Sequence, residues 1–390
     1  MRCQVAIIGA GPSGLLLGQL LQRSGIDALI IERSTPEHVL SRVRAGVLEQ
    51  GTVELIRSAG AGARCDRDGL VHSGIEIAFA GARHRIDLRS AANGRPITIY
   101  GQTELTRDLM DARRDAGAKT VYGATDVELH DFDTDRPEVS YSQDGVQTRV
   151  TADFICGCDG FRGASRQAIP ARAMQVYDKS YPISWLGLLA DTPPVAEELV
   201  YASSDRGFAL CSMRSATRSR FYLQTAETDQ PADWSDDAFW SELRRRLPDD
   251  LAASIRAVPS IEKSSTKLRS SVTEPLRFNR LFLCGDAGHI VPPIGAKGLN
   301  LAASDVHYLV EALLEYYADG SAAALDRYSH RALARVWKAE YFCWWMTNLF
   351  HLRPDADAFE TRLQTAELDY LTSSPSAQTS LAENYVGTPF

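Results

Sequence analysis

The chain lacks the long apolar segment that a membrane protein needs. No apolar run reaches the roughly 18 residues that span a bilayer, so we expect no membrane anchor. Arg2 and the apolar stretch up to Leu21 could be read as a signal peptide. However, Gln4, Pro12 and the glycines around it fit a folded strand and turn better. We therefore expect a cytoplasmic protein.

Excess positive charge and paired cysteines are also missing. The chain has 42 Lys and Arg residues against 50 Asp and Glu, a formal net charge of −8, which argues against a broad nucleic-acid-binding surface. Its seven cysteines are odd in number and show no metal-ligand spacing, so we predict reduced thiols and no metal site. The remaining composition is that of a globular protein, with 44% hydrophobic residues in a chain of 390.

A glycine-rich turn follows the first apolar strand. The pattern predicts a strand over 4–8, the turn G-A-G-P-S-G at 9–14, a helix over 15–23 and a second strand over 28–31 leading to Glu32. The glycines let a pyrophosphate approach the backbone, where its charge meets the N–H groups of the helix start. A carboxylate at this distance from the turn can accept both ribose hydroxyls. The pattern predicts binding of FAD or NAD and leaves the choice between them open.

Two later strands also end in a Gly and an Asp. One runs over 154–158 into Asp159 and Gly160, and another runs over 281–284 into Gly285 and Asp286. An Asp at such a strand end can bind a sugar or ribityl hydroxyl. A helix that begins near residue 298 would point its positive end at a nearby ring, which favours an anionic reduced flavin. An ordinary turn between strand and helix is the alternative.

A predicted hairpin between residues 208 and 225 carries an unusual set of polar side chains. If its turn is centred on Thr217, residue 214 pairs with 220 and residue 212 with 222, which puts Ser212, Arg214, Arg220 and Tyr222 on one face. These side chains make a poor core but a good carboxylate site, because an arginine binds a carboxylate through two parallel hydrogen bonds. A solvated face with surface arginines is the alternative.

The last third of the chain has helical spacing of apolar residues over 301–317 and 322–350. Phe342, Trp344, Trp345 and Met346 crowd one stretch of it. This stretch fits either core packing or a dimer interface, where aromatic residues and Met are enriched.

The glycine motif with Glu32, the Asp159-Gly160 pair and the Gly285-Asp286 pair together resemble the three fingerprints of the FAD-dependent aromatic hydroxylases. Within that family, the blocks at 42–50, 100–104 and 383–387 are similar to members that act on 4-hydroxybenzoate. The resemblance covers essentially the whole chain. In this family the nicotinamide cofactor has no Rossmann domain of its own, which agrees with the single G-x-G-x-x-G motif.

The resemblance implies a mixed α/β fold, in which a Rossmann-like FAD-binding domain is interleaved with a β-sheet substrate domain and followed by C-terminal helices. We assign residues 1–72, 97–180 and 270–320 to the FAD-binding domain. The substrate domain then comprises residues 73–96 and 181–269, and residues 321–390 form a helical region that we expect to lie at a homodimer interface.

The resemblance also implies hydroxylation of 4-hydroxybenzoate at the 3 position to 3,4-dihydroxybenzoate, using FAD, NAD(P)H and O2 through a flavin C4a-hydroperoxide. We expect NADPH as the reductant, with NADH as the alternative. Three other functions stay open at this point: a phenolic-acid hydroxylase of altered substrate range, a flavin reductase or oxidase that never hydroxylates, and a flavin-binding sensor without turnover.

The resemblance assigns roles to residues on both sides of the site. The substrate carboxylate contacts are Ser212, Arg214 and Tyr222. The phenol contacts Tyr201 and the carbonyl of Pro293, and its proton leaves through Tyr385 and His72. The residues implied for FAD are Gly9, Gly11, Ser13, Gly14, Glu32, Arg42, Arg44, Gln102, Asp159, Arg220, Asp286, Gly295, Gly298, Leu299 and Asn300. Those implied for the nicotinamide cofactor are Arg33, His38, Arg42, Arg44, Arg162, Arg166 and Arg269.

Four positions depart from the family pattern. Ile294 stands beside the substrate where a Thr is usual, which bears on substrate tolerance. Ser34 and His38 replace a Gln and a Tyr in the segment linked to nicotinamide choice, and Arg162 replaces a His. The arginines that remain could hold a 2′-phosphate, which is why we favour NADPH.

Overall fold

The computed structural model describes residues 1–41 and 46–390, so predictions for Arg42 and Arg44 lie outside the described residues. Twenty strands are present in these two ranges: β1 (Val5–Ile8), β2 (Ala28–Glu32), β3 (Val47–Leu48), β4 (Leu70–His72), β5 (Gly74–Phe79), β6 (Ala82–Asp87), β7 (Ile97–Ile99), β8 (Thr120–Tyr122), β9 (Thr125–His130), β10 (Glu138–Gln143), β11 (Val146–Thr151), β12 (Phe154–Gly157), β13 (Gln175–Ala190), β14 (Leu199–Ser204), β15 (Gly207–Ser215), β16 (Arg218–Ala226), β17 (Glu262–Glu274), β18 (Arg277–Phe278), β19 (Leu281–Leu283) and β20 (His289–Ile290).

The same ranges contain thirteen α-helices: α1 (Pro12–Arg23), α2 (Pro36–Leu40), α3 (Gln50–Ser58), α4 (Ala63–Asp68), α5 (Leu88–Ala91), α6 (Gln102–Asp115), α7 (Ala164–Ala168), α8 (Asp236–Arg245), α9 (Asp249–Ser254), α10 (Gly298–Asp319), α11 (Ala323–Phe350), α12 (Ala358–Ser373) and α13 (Pro375–Val386). No helix among the described residues combines enough length and apolar character to cross a bilayer.

A six-stranded sheet has the order β18-β19-β12-β1-β2-β8 and is parallel apart from its β18 edge. Its central strands are short apolar runs that are buried on both faces, as parallel strands require. The four predicted strands near residues 4, 28, 154 and 281 lie side by side here as β1, β2, β12 and β19. Because parallel strands share one carboxyl edge, the segments that follow them meet there.

An eight-stranded sheet has the order β20-β17-β13-β16-β15-β14-β5-β6. Its pairs are antiparallel except for β14 with β5. One face packs against α11 and α13 in a core that includes Tyr201, Ile294 and Tyr385. The other face packs against α8 through Phe239 and Trp240 and against α9 through Leu251. Two small three-stranded sheets, β11-β10-β9 and β3-β7-β4, complete the strands.

The predicted register of the β15–β16 hairpin is wrong by two residues. Ser212 pairs with Arg220 and Leu210 with Tyr222, and Ser215 pairs with Arg218 across a two-residue turn. The Ser215 hydroxyl accepts the N–H of Thr217 at 3.2 Å and closes a two-residue turn. Strand pairing therefore continues to Ser215 and Arg218, closer to the turn than the predicted last pair of residues 214 and 220. Arg214 becomes the extra residue of a bulge. A shift of two preserves side-chain alternation, so Ser212, Arg220 and Tyr222 still share one face.

The predicted fold class, a mixed α/β fold with a Rossmann-like part, a β-sheet part and C-terminal helices, is confirmed by this architecture. The domain boundaries themselves stay a prediction. Strands β13 and β17 run across the boundaries that we set at residues 180 and 269, which ties the two parts together by continuous strands. Helix α1 begins at Pro12, earlier than predicted, because proline suits the first helical position.

Candidate active site

A cleft of about 1000 Å³ joins the carboxyl edge of the six-stranded sheet to one face of the eight-stranded sheet. Many of the predicted site residues line it, although they come from segments that are far apart in the chain. The predicted residues on its wall are Gly9, Gly11, Ser13, Glu32, Arg33, Gln102, Asp159, Arg162, Arg220, Tyr222, Arg269, Asp286, Pro293, Gly298 and Leu299. The cleft therefore has a glycine-loop end and a sheet end, and the predicted residues Ser212, Arg214, Tyr201, Tyr385 and His72 are not on its wall.

The glycine-loop end is fixed by Glu32, the last residue of β2. One carboxylate oxygen accepts the backbone N–H of Ala10 at 2.7 Å, and the other accepts that of Ser34 at 2.8 Å. Both bonds are made by a charged acceptor, which makes them stronger than neutral ones. Each carboxylate oxygen keeps a further lone pair that can face a ribose hydroxyl in the cleft.

The loop itself depends on two glycines. Gly9 has a φ of 104°, and a Cβ there would lie 2.5 Å from the carbonyl oxygen of Cys158. A Cβ on Gly14 would lie 2.0 Å from the carbonyl oxygen of Gly9, so Gly14 lets α1 pack onto the loop. Gly11 has open space beside it on the cleft wall. That space and the free N–H groups at the start of α1 suit a pyrophosphate.

Asp159 follows β12 and carries an unpaired oxygen. Its Oδ2 accepts the N–H and the hydroxyl of Ser165 at 2.9 and 3.0 Å. Its Oδ1 is buried and has no partner among the described residues. Burial raises the pKa of Asp159 above its ordinary value, and the Ser165 bonds oppose this shift. An orphaned oxygen on the cleft wall fits a hydroxyl donor of a bound cofactor.

Asp286 and the start of α10 line the cleft next to this point. Asp286 lies in a 3₁₀ turn (Gly285–Ala287) after β19. The backbone N–H groups of Gly298, Leu299 and Asn300 belong to the first helical turn and have no intrahelical acceptor. The Asn300 side chain is not open to a ligand, because its Oδ1 accepts Glu49 N–H and Thr52 hydroxyl while its Nδ2 donates to two carbonyls. Gly295 packs on Cys343 away from the cleft wall.

Arg214 is not itself on the cleft wall but lies close to Arg220 and Tyr222 of the sheet end, and it provides two unpaired donors. Its Nη1 donates to the Met213 carbonyl at 3.0 Å and to the Ser212 hydroxyl at 3.3 Å. Its Nε and Nη2 are buried without a partner among the described residues. Burial lowers the pKa of this guanidinium, and the charge of Arg220 acts in the same direction. Nε and Nη2 form one edge of the guanidinium, the edge that a carboxylate grips with both oxygens.

Arg220 lies opposite Ser212 and is more fully engaged. Its Nη1 donates to Glu262 at 3.1 Å and its Nη2 to the Ser264 hydroxyl at 2.6 Å, which leaves a buried Nε without a partner in the described chain. Its guanidinium carbon lies 5.4 Å from the centre of the Tyr222 ring. The ring centre of Trp185 lies 5.0 Å from that of Tyr222, and the Trp185 indole N–H donates to His351 at 2.6 Å.

Tyr201 and Tyr385 are joined by a short hydrogen bond although 184 positions separate them. Their hydroxyl oxygens lie 2.6 Å apart, and the Tyr201 hydroxyl also donates to the Ile294 carbonyl at 3.1 Å. Both side chains are buried, and burial raises the pKa of each phenol above its ordinary value. Register places Tyr201 opposite Leu210, which faces Tyr222, so the tyrosine pair continues the polar face of the sheet.

His72 lies at the end of β4 and is not bonded to this pair. Its Nδ1 is buried without a partner among the described residues, and no hydrogen bond joins it there to Tyr201 or Tyr385. Burial lowers the pKa of its imidazole, and the charge of Glu198 opposes that shift. A role for His72 in proton release stays a prediction.

The residues predicted for the nicotinamide cofactor divide into two groups. Arg33, Arg162 and Arg269 line the cleft, whereas His38 is exposed on α2 away from the cleft wall. The guanidinium carbons of Arg166 and Arg269 lie 3.9 and 3.7 Å from the centre of the Phe161 ring. Arg269 also keeps its Nε and Nη2 unpaired within the described residues.

Sequence reasoning missed two buried pairs. Lys297 donates to Glu49 at 2.6 Å, and Trp185 donates to His351. A lysine between Gly295 and Gly298 is a signal that could have suggested the first pair, because a buried lysine needs an acid. The sequence carries no signal for the second. Burial lowers the pKa of His351 to about 3, so this imidazole is neutral and accepts through Nε2.

Comparisons with known proteins agree on one family. A family model described as FAD binding domain matches residues 2–343. The chain is 52% identical over 390 residues to the p-hydroxybenzoate hydroxylase of Acinetobacter baylyi, covering 100% of this chain and 96% of that relative. It is 27% identical over 327 residues to a rifampicin monooxygenase of Rhodococcus hoagii, covering 78% of this chain and 62% of that relative.

Solved structures agree at the level of the fold. The crystal structure of p-nitrophenol 4-monooxygenase from Pseudomonas putida superposes with a TM-score of 0.81, covers 99% of both chains and is 16% identical. An identity this low speaks for the shared fold alone.

Proposed function

The chain belongs to the family of FAD-dependent aromatic hydroxylases, and we propose that it hydroxylates 4-hydroxybenzoate at the 3 position to give 3,4-dihydroxybenzoate. The substrates are this aromatic acid, O2 and NADPH, and the cofactor is FAD. The observation that carries the proposal is the unpaired edge of Arg214, which lies on the same sheet as Tyr201, the strand member of the Tyr201–Tyr385 pair.

The Arg214 edge accounts for the carboxylate of the substrate. A buried guanidinium with two unpaired N–H groups is costly unless a ligand accepts them. Tyr222, on the same face, adds a hydroxyl donor for the same carboxylate, whereas the Ser212 hydroxyl donates to the Arg220 carbonyl at 2.9 Å and accepts from Arg214. An aromatic acid held in this way directs its opposite, phenolic end along the sheet toward Tyr201.

The tyrosine pair accounts for the phenol. An electrophilic oxygen transfer needs an electron-rich ring, and a phenolate is far richer than a phenol. A phenol with a pKa of ~10 is only about 0.1% ionised at pH 7, and a pKa two units lower makes the ionised share ~10%, for about 2.7 kcal/mol. Tyr201 can accept the phenol proton and Tyr385 can relay it, because their hydroxyls already share a hydrogen bond.

The hydrogen bond to the Ile294 carbonyl sets which of the two tyrosine hydroxyls donates to the other. The Tyr201 hydroxyl has one hydrogen, and when it donates to Ile294, Tyr385 must donate to Tyr201. Reversal of the pair is then the step that moves a proton away from the substrate. We propose His72 as the group that passes this proton to solvent, since its low pKa makes it a neutral acceptor at pH 7.

The glycine-loop end fits FAD. The open space at Gly11, the orphaned Asp159 Oδ1 and the free N–H groups at the start of α10 match a pyrophosphate, a hydroxyl and the anionic edge of a flavin ring. Bound FAD supplies the two-electron chemistry that takes a hydride from the nicotinamide and activates O2 for transfer to the ring. Arg220, with its unpaired Nε, borders the ring side of the cleft.

Arginines at the mouth of the cleft favour NADPH over NADH. Arg33 and Arg162 are exposed on the cleft wall, and Arg269 keeps two unpaired donors there. A 2′-phosphate accepts hydrogen bonds from such groups, and the 2′-hydroxyl of NADH gains less from them. Because His38 lies off the wall, we give it no direct contact with the cofactor.

We also propose that the enzyme is a homodimer in the cytoplasm. Trp337, Tyr341 and Trp344 follow one face of α11 and are exposed, and Tyr341 is 66% exposed. Phe359, Leu363 and Tyr370 extend the exposed apolar surface onto α12. Aromatic surfaces of this kind are typical of subunit interfaces. All seven cysteines are free and buried, which suits a reducing compartment.

The test of the proposed function is NADPH oxidation with and without 4-hydroxybenzoate, with product analysis. We expect a yellow protein, strong stimulation by the acid and one molecule of 3,4-dihydroxybenzoate for each NADPH consumed. Benzoate is the matched control, because it carries the carboxylate but no phenol, and should stimulate without product. NADPH oxidation that is indifferent to the acid would identify a flavin reductase instead. The same assay with NADH checks the nicotinamide preference.

A further inference from the structure

The segment after α13 is fastened to α11 by Arg335. Its Nη1 donates to the carbonyl of Thr388 at 2.8 Å and to that of Pro389 at 3.3 Å. Its guanidinium carbon also lies 4.8 Å from the centre of the Phe390 ring. The first residue after the helix is held separately, because Arg95 donates to the Gly387 carbonyl at 2.6 Å. Two arginines from different elements thus hold residues 387–390 in place.

Arg335 also begins a chain of charges that leads into the site. Its Nη2 lies 2.7 Å from Glu49 Oε2, and Lys297 Nζ lies 2.6 Å from Glu49 Oε1. Lys297 Nζ then donates to the Tyr385 carbonyl at 3.0 Å. The side chains of Arg335, Glu49 and Lys297 are only 11%, 6% and 5% exposed. The backbone of Tyr385 is therefore linked to α11 through two buried ion pairs.

Packing leaves little freedom around Glu49. Gly387 has a φ of 75°, and a Cβ there would lie 1.9 Å from Glu49 Oε2. Phe390 packs on Gly51, two residues beyond Glu49. The carboxylate is enclosed by the tail and held at both oxygens by cations. Its position is therefore coupled to the position of the tail.

We infer that Arg335 is a positioning residue that sets the Tyr385 hydroxyl for proton relay, by holding Glu49, and through it Lys297, against the C-terminal tail. The inference rests on the proposed function, because it assigns Arg335 to the same relay. The geometry gives Arg335 two acceptors on different segments, which a simple surface ion pair does not have. The charged and titratable groups packed around the Tyr385 segment are Glu49, Arg95, Tyr201, Lys297, Arg335 and Cys343.

Loss of Arg335 should disturb the Tyr201–Tyr385 relay without changing the residues proposed to bind the substrate carboxylate. In Arg335→Met, Glu49 Oε2 loses its cation and residues 388–389 lose their donor, so Lys297 and the Tyr385 backbone are no longer fixed to α11. Misplacement of a relay hydroxyl by a fraction of an ångström weakens proton transfer steeply. Arg214 and its unpaired edge lie on β15 and make no contact with this network.

The experiment follows the ultraviolet spectrum of enzyme-bound 4-hydroxybenzoate against pH, which reports its phenolate directly. We expect the apparent pKa of the bound phenol to rise by about one unit in Arg335→Met, which is roughly a tenfold loss of phenolate at a given pH. Product formed for each NADPH consumed should fall as well, while the KM for the acid changes less than about threefold. Arg335→Lys keeps a positive charge beside Glu49 and should reverse part of the rise in the pKa of the bound phenol.

Arg331→Met is the matched control, because Arg331 lies one turn earlier on α11 and pairs with Glu311 at the surface. A phenol pKa in Arg335→Met equal to that of Arg331→Met overturns the inference. The inference is also overturned if Arg335→Met loses FAD or thermal stability but keeps the wild-type phenol pKa. Arg335 would then have a purely structural role. If Arg335→Met does not fold, the test uses Arg335→Lys in a chain that ends at Gly387. A wild-type phenol pKa in that variant also overturns the inference. A wild-type enzyme that neither ionises nor hydroxylates the acid overturns the proposed function together with this inference.

Discussion

Glu32 at the glycine-loop end and Arg214 at the sheet end differ in how many hydrogen-bond partners the protein gives them. At the glycine-loop end, both oxygens of Glu32 accept backbone N–H groups from residues close in the chain or one strand away. At the sheet end, Arg214 keeps two buried N–H groups with no acceptor among the described residues. Glu32 therefore has its protein partners before a ligand arrives, whereas Arg214, like the unpaired Asp159 Oδ1, still needs a ligand partner.

This difference separates scaffolding from recognition. A satisfied carboxylate such as Glu32 fixes the shape of its own loop and adds a ligand contact only with its remaining lone pairs. An unsatisfied guanidinium such as Arg214 keeps two donors for which only a ligand can supply acceptors. Substitutions at the sheet end should therefore change substrate behaviour strongly, and those at the glycine-loop end should act on cofactor affinity.

The largest effect should come from removal of one hydroxyl at the sheet end. Tyr201→Phe leaves Arg214 and the cleft wall intact but removes the acceptor of the substrate proton. We expect acid-stimulated NADPH oxidation to continue while 3,4-dihydroxybenzoate formation falls about 100-fold and peroxide forms instead. Product and peroxide are measured together in one turnover assay.

Tyr181→Phe is the control for this variant, since Tyr181 is another buried tyrosine of the same sheet, with only a 3.5 Å contact to Ser270. Its product yield should match that of the wild type. Hydroxylation at the wild-type rate in Tyr201→Phe would remove the relay from the mechanism.

An effect of similar size should fall on substrate affinity. Arg214→Lys keeps a positive charge but cannot offer two parallel N–H groups, so a carboxylate loses its paired grip. We expect the dissociation constant for 4-hydroxybenzoate to rise about 100-fold, equivalent to about 2.7 kcal/mol. It is measured by the change in flavin fluorescence on titration with the acid. Arg218→Lys, at the exposed start of β16 where Arg218 pairs with Asp191, is the control. Unchanged affinity would exclude Arg214 from the site.

A smaller effect is expected at the glycine-loop end. Glu32→Gln keeps one carbonyl acceptor for Ala10 or Ser34 but loses the charge and the second acceptor. We expect FAD affinity to fall roughly tenfold, or about 1.4 kcal/mol, with the substrate dissociation constant of the reloaded enzyme unchanged. Equilibrium dialysis of FAD gives the first value. Glu37→Gln on the exposed α2 should behave like the wild type. A larger loss of substrate affinity than of FAD affinity would break the proposed division between the two ends.

The last effect falls on stability and not on the reaction, at a buried acid of α11. Burial raises the pKa of Glu340 to about 7, although a Ser270 hydrogen bond and the charge of His289 oppose this, and its Oε1 has no partner in the described chain. Between its unfolded pKa and pH 7 the folded state carries a proton that the unfolded state lacks, so stability falls as the pH rises. Glu340→Gln should therefore stabilise the protein more at pH 8 than at pH 5, by on the order of 2 kcal/mol or about 3 °C in Tm.

Thermal unfolding at the two pH values measures this difference. Glu383→Gln, at an exposed position on α13, supplies the baseline for loss of one charge. Equal gains at pH 5 and pH 8 would mean that Glu340 is not a buried acid of raised pKa.

The two ends also differ in how much of their structure could be predicted from the sequence. The strand, turn and acid that end in Glu32 are local, and the structure has β1, α1 and β2 where the pattern predicts them. The hairpin register is wrong because the Ser215 hydroxyl closes a two-residue turn, a local bond that spacing does not reveal. Glu49 and Lys297 are 248 positions apart, and no pattern in one sequence joins residues at that distance. The family resemblance, and not spacing, is what suggested Tyr201 with Tyr385.

The cross-strand row of Tyr201, Leu210 and Tyr222 has an evolutionary consequence. Because side chains alternate along a strand, a one-residue insertion in β14, β15 or β16 that is not taken up as a bulge would turn every later side chain to the opposite face. Descendants of this chain can change their choice of phenol more readily by substitution within the row than by changes in strand length. Length variation can enter at the Ala216–Thr217 turn, where added residues leave the row in place.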